Sequence, residues 1–124
     1  MKVLLIEDDR FFQKFYSSKL RRQNLEVEIA SDGEEGLQKM KNANPDVVLL
    51  DLIMPKKDGF SVLKERQKHR NLKKIPVVVF STLGQEQDIE NAKELGVNDY
   101  VNKSLFNFDL VMGKIMKVRQ INLS

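Results

Sequence analysis

The sequence predicts one α/β domain spanning residues 1–124, a doubly wound five-stranded parallel sheet with strand order 2-1-3-4-5. Three observations predict it. The runs at residues 3–6 (VLLI), 47–50 (VVLL) and 77–80 (VVVF) are apolar on both alternating faces, as in strands covered on both sides. Stretches of helical periodicity separate them, so the chain alternates strand and helix. Leu25, Val27 and Ile29 alternate with Glu26 and Glu28, the pattern of a half-exposed strand, which belongs at an edge.

The first helix carries Phe12, Phe15, Tyr16 and Leu20 on one face, with Asp9 placed to cap it. Ser31 followed by Glu34 has the spacing of a capping box and predicts a second helix through Leu37 and Met40, stopped by Pro45. A third helix is expected after Gly59. A fourth runs from about Glu86 to Gly96, a residue suited to the left-handed position beyond a helix end. The last presents Phe108, Val111, Met112 and Ile115 on one side and is expected to reach about Arg119. Parallel strands joined by helices cross over right-handed, and the order 2-1-3-4-5 leaves the alternating second strand on an edge. That order also makes the ends of strands one and three neighbours. Ligands of such sheets bind beyond the carboxyl ends of the strands, where the winding reverses.

Composition narrows the chemistry. At 124 residues the chain suits one compact domain, and its 41% hydrophobic and 31% charged residues are globular in balance. With no cysteine, disulfides, thiolate metal sites and cysteine nucleophiles are excluded. No apolar run is long enough to span a bilayer, and the MKVLLIEDD start lacks a signal peptide's apolar stretch, so no membrane association and a cytoplasmic location are expected. A net charge of +3 does not by itself imply nucleic-acid contact, and none is expected. Between Lys56 and Lys74 eight Lys or Arg face two acidic residues, a run expected to be a solvated helix and loop face.

The chemistry-bearing residues fall at strand ends. Glu7, Asp8 and Asp9 end the first strand and Asp51 the third, bringing carboxylates to one edge where their mutual repulsion calls for a cation. An all-oxygen set suits Mg2+ or Mn2+. Asp9 is assigned to the helix cap instead. The fourth strand ends in Ser81 and Thr82, and the fifth passes through Tyr100 to Lys103, adding a hydroxyl and an ammonium. These parts suit phosphoryl transfer: Asp51 supplies the attacking oxygen, the metal and Lys103 take charge from the phosphoryl oxygens, and Ser81 donates a hydrogen bond. Pro55 and Gly59 shape the loop after Asp51.

The segments VLLIEDD, DVVLLDLIMPKKDG, IPVVVFST and DYVNK resemble those of response-regulator receiver domains of two-component signalling, of the chemotaxis-regulator type, over essentially the whole chain. The resemblance implies a flavodoxin-like (βα)5 fold and phosphorylation of Asp51. It gives Glu7, Asp8, Asp51 and the backbone carbonyl of Ile53 to the metal, Ser81 and Lys103 to the phosphoryl group, and the switch role to Ser81 and Tyr100. It implies a sensor histidine kinase or phosphotransfer protein as donor, a downstream protein as reader and scope for a phosphorylation-dependent dimer. The reading face would comprise the helix after strand four, strand five and the last helix. No output domain is visible, and the only catalysis expected is of the domain's own phosphorylation and dephosphorylation.

Two positions depart from the family pattern. Ser104 stands where the family has proline after the lysine, often in a cis bond. A cis bond to a residue other than proline costs about 2.5–4 kcal/mol, so Lys103–Ser104 is expected to be trans or strained, leaving Lys103 open to displacement. Thr82 stands where the family often has alanine, and its bulk is expected to limit access of water to the phosphoryl pocket. The competing readings are a degenerate receiver that binds partners without phosphorylation, a metal-dependent aspartyl phosphatase and a flavodoxin-like mononucleotide site. The phosphatase pattern places its nucleophile after the first strand. A mononucleotide phosphate needs donors and glycines where the first loop here is acidic.

Overall fold

A computed structural model describes residues 1–83, 85–105 and 107–123, with side chains described through residue 119. The elements run β1 (Lys2–Ile6), α1 (Arg10–Arg22), β2 (Glu26–Ala30), α2 (Gly33–Ala43), β3 (Val47–Leu50), α3 (Gly59–Gln67), α4 (Arg70–Lys73), β4 (Val77–Ser81), α5 (Glu86–Glu94), β5 (Asp99–Asn102), a 3-10 turn (Lys103–Leu105) and α6 (Phe108–Leu123). The strands pair in parallel in the order β2-β1-β3-β4-β5, as the sequence predicts.

Strand alternation divides the core in two. Leu4, Ile6, Val48, Leu50, Val77 and Val79 face one side, where Leu37 and Met40 of α2 and Val62 and Leu63 of α3 cover them. Val3, Leu5, Val47, Leu49, Val78 and Phe80 face the other, under Tyr16 and Leu20 of α1 and Val111 and Ile115 of α6. The three central strands are thus buried on both faces, which is why their sequences carry no polar alternation. β2 keeps Glu26 exposed at the edge.

Local chemistry fixes the helix ends. Asp9 caps α1, its Oδ1 accepting from the N–H groups of Phe11 at 2.8 Å and Phe12 at 3.2 Å. The cap of α2 is Asp32 rather than the expected Ser31. The Asp32 carboxylate accepts from Glu35 N–H at 2.9 Å, while the Ser31 N–H donates to the Glu35 carboxylate at 2.7 Å. The capping box has therefore shifted one residue along, because aspartate caps as well as serine. α5 ends as expected at Gly96, with φ +86°, where Gly96 N–H donates to Lys93 O and Val97 N–H to Ala92 O in a Schellman arrangement. The short α4 has no counterpart among the elements the sequence predicts, since only Leu72 of its four residues is buried and no apolar period announces it. α6 runs four residues beyond the expected Arg119, to Leu123. No helix among the described residues is long and apolar enough to cross a membrane.

Candidate functional site

The pairing of β1 with β3 brings the two acidic strand ends side by side. Asp51 follows β3 directly and its N–H donates to Ile6 O at 3.0 Å, so its side chain is delivered beside Glu7. Carboxylate oxygens of Glu7, Asp8 and Asp51 all lie within 4.8 Å of one another. Glu7 and Asp51 are buried and Asp8 is exposed, so the cluster opens to solvent on one side. Asp9 stands apart in its cap, although its N–H donates to Glu7 Oε1 at 2.9 Å and helps orient that carboxylate.

Lys103 completes the group from the far side of the sheet. Its Nζ donates to Glu7 Oε2 at 2.8 Å and to Asp51 Oδ2 at 3.2 Å. The ammonium lies 4.3 Å from the Phe12 ring centroid and 5.5 Å from that of Phe80, whose faces favour a cation. There are no cis peptide bonds among the described residues, so Lys103–Ser104 is trans. The Ser104 N–H donates to the Asn102 side chain at 2.9 Å, a local turn that directs Lys103 inward without proline. Lys103 holds its ammonium between the Glu7 and Asp51 carboxylates.

Three carboxylates thus face one ammonium. Burial pushes Glu7 up to about 7, the Lys103 hydrogen bond offsetting part of that and the Asp51 charge adding to it. Burial also raises Asp51, with Lys103 opposing. For Lys103 burial acts downward, but Glu7 and Asp51 outweigh it and hold the ammonium above its ordinary range. With all groups ionised the cluster carries a net charge of −2, the complement of one divalent cation, and its donors are all oxygen.

Beside this group, Ser81 ends β4 fully buried, and its Oγ accepts from Leu83 N–H at 3.2 Å. The Tyr100 hydroxyl donates to the carbonyl of the same Leu83. Tyr100 is half-buried, and burial raises its pKa above the ordinary tyrosine value, with the Asp88 charge adding to the effect. Thr82 is exposed next to Ser81. Ile53 offers its N–H to Asp51 Oδ1 at 3.4 Å. In the loop that follows, Pro55 O accepts from Lys57 N–H at 2.8 Å and Gly59 N–H donates to Leu52 O at 3.0 Å. A Cβ on Gly59 would lie 2.5 Å from Asp51 O, so the loop closes only on glycine. Sequence reasoning missed Leu83 and the cation-facing role of Phe12. Leu83 acts through backbone atoms and leaves no residue-type signal, and Phe12 reads simply as core.

The class that fold and site define is a doubly wound parallel sheet with an acidic, lysine-bridged cluster at its switch point. Residues 3–114 match the family model of the response regulator receiver domain, and the chain belongs to that family. It is 38% identical over 102 residues to "Probable transcriptional regulator ycf27" of Guillardia theta, covering 82% of this chain and 39% of that protein. Among solved structures it is similar to the Mn(2+)-bound form of response regulator Rcp1, with 35% identity, a TM-score of 0.81 and 90% and 89% of the two chains covered. It is also similar to the phosphorylated cyanobacterial phytochrome response regulator RcpA, with 36% identity, a TM-score of 0.81 and 99% and 94% covered. The chain spans between 39% and 54% of the length of the first curated relatives it matches. Those relatives are named as transcriptional regulators, so the expectation of no direct nucleic-acid contact gains no support from them.

Proposed function

We propose that the domain is a phosphorelay receiver in which Asp51 takes a phosphoryl group from a phosphohistidine of a sensor kinase or phosphotransfer protein. The observation that carries this reading is the bridge from Lys103 to both Asp51 and Glu7, with Asp8 within ligand distance of both carboxylates. A carboxylate oxygen of Asp51 attacks phosphorus, the P–N bond breaks with its electrons returning to the imidazole, and an acyl phosphate forms. Glu7, Asp8, Asp51 and the Ile53 carbonyl would hold a Mg2+ or Mn2+ ion, which when bound neutralises phosphoryl charge. The manganese-bound form of Rcp1 and the phosphorylated form of RcpA, both similar in fold and sequence, support the same reading.

Lys103 shifts from bridging two carboxylates to pairing with the new phosphoryl oxygens, and Ser81 donates its hydroxyl to another. Ser81 then turns away from Leu83, and Tyr100 repacks. The face of α5, β5 and α6 changes with it, and a downstream partner that distinguishes the two states shifts their balance. Pro55 and Gly59 hold the loop after Asp51, and Thr82 stands at the solvent side of the pocket. The Lys103 contacts favour this reading over a degenerate, phosphorylation-independent binding module. The test is intact-mass analysis after incubation with Mg2+ and a small-molecule phosphodonor. The wild-type chain gains one phosphoryl mass and Asp51→Asn gains none; a wild type that never gains it removes the proposal.

A further inference from the structure

The basic run at residues 56–74 reads in sequence as a solvated face; Lys56 and Lys57 stay in the loop after Asp51, but the fold gathers the cations from Lys64 to Lys74 at one place. α3 ends at Gln67, α4 spans Arg70–Lys73 and β4 begins at Val77, so this hairpin lies at the amino ends of the strands, opposite Asp51. Lys64, Lys68, Arg70, Lys73 and Lys74 are all exposed there. One groove is bordered by Lys41, Lys68, Arg70 and Lys74 and by one carboxylate, Asp46; the apolar residues that line it, Met40, Leu72 and Ile75 among them, are buried. A second, sharing Lys68, Arg70 and Lys74 with the first, adds Lys73.

Little within the described residues neutralises these cations. Lys68 pairs with Glu65 at 3.7 Å, whereas Lys41, Lys64, Arg70, Lys73 and Lys74 form no ion pair among the described residues. Beneath them lies Arg66, buried, whose guanidinium donates only to carbonyls: to Ile75 O at 2.8 and 3.2 Å and to Lys73 O at 3.1 Å. It fixes the turn that carries Lys73 and Lys74, and adds charge without a carboxylate.

The character of the surface discriminates between partners. Protein interfaces are anchored by buried aromatic or aliphatic side chains. The exposed large hydrophobic residues, Phe11, Ile53, Leu105, Leu110 and Met116, all lie elsewhere on the fold. Neither groove is bordered by a Phe or Tyr on which unpaired bases could stack. A set of mostly unpaired, mostly Lys charges with no exposed apolar anchor and no Phe or Tyr platform matches the phosphate backbone of a duplex. We propose that the α3–α4 end of the domain binds double-stranded nucleic acid through its phosphates, without sequence preference.

The test is fluorescence anisotropy of a labelled mixed-sequence DNA duplex titrated with the full chain at several salt concentrations. The comparison is between the triple variant Lys68→Glu, Lys73→Glu, Lys74→Glu and a control, Lys14→Glu, Arg22→Glu, Lys117→Glu, which lowers the net charge equally at exposed positions elsewhere. The wild type and the control bind, with affinity falling as salt rises. The α3–α4 variant loses at least tenfold in affinity, and its log–log salt slope is smaller by about 3, one per lysine removed. A second triple with glutamine at the same three positions shows a smaller loss in the same direction, with circular dichroism confirming that each variant is folded. Equal loss in both charge-reversal triples, or no wild-type binding at low salt, overturns the proposal. So does displacement of the duplex by polyglutamate at equal charge concentration, which assigns the surface to an acidic protein. None of these outcomes depends on phosphorylation of Asp51.

Discussion

Thr82 and Tyr16 show how single side chains tune this molecule in opposite ways. Thr82 is exposed beside the buried Ser81, and in the proposed phosphorylated state its side chain would limit the approach of water to Asp51. Thr82→Ala opens that approach, so the phosphorylated variant is expected to lose its phosphoryl group several-fold faster, followed by the decay of the modified mass; an unchanged lifetime would sink the idea. Tyr16 is fully buried between Phe12 and Phe80, and its hydroxyl has no hydrogen-bond partner among the described residues. A buried hydroxyl without a partner costs about 1–3 kcal/mol of desolvation. Tyr16→Phe keeps the ring contacts and removes that cost, so urea denaturation should show a more stable protein, by up to about 1 kcal/mol after losses in packing. Destabilisation would mean that the hydroxyl has a partner in solution.

Among the elements, two glycines set opposite expectations for one substitution. Gly96, at φ +86°, ends α5, and a Cβ there would meet the Gln67 side chain at 2.5 Å. Gly96→Ala is expected to cost about 1–2 kcal/mol from the left-handed backbone, plus whatever Gln67 must yield. Gly113 lies within α6, and a Cβ added there would meet nothing within 4 Å, so Gly113→Ala should stabilise by about 0.5–1 kcal/mol. Paired denaturation curves check both signs. Of the two, only the Gly96 end was legible in the sequence, because a glycine closing a helical period is a positional signal. The strands were legible for a related reason: residues 47–50 are apolar throughout since helices cover both faces. α4 was not, because it is held by Arg66 and by Leu72 rather than by a pattern of its own. The shift of the α2 cap from Ser31 to Asp32 escaped for another reason, since two adjacent residues can make the same bond.

For the molecule as a whole, the charge left over at the switch point predicts a coupling between ion binding and folding. An ion that binds the folded state alone stabilises it by RT ln(1 + [L]/Kd), about 1.4 kcal/mol at ten times Kd. Mg2+ should therefore raise the thermal midpoint of the wild type, and Asp8→Ala should abolish most of the rise, since Asp8 is exposed and its removal spares the core. A midpoint indifferent to Mg2+ would argue against the site. Which residues meet there was legible from strand ends and order, but how they meet was not. The direction of Lys103 depends on the turn that Asn102 makes with Ser104, and the link from Ser81 to Tyr100 depends on Leu83, whose side chain takes no part. That last link joins the ends of β4 and β5 through the main chain of a single residue. Position 83 can therefore drift among residue types without severing the connection, proline excepted because it has no N–H to offer Ser81. The wiring of the proposed switch belongs to the main chain, and its tuning is left to the residues at either end.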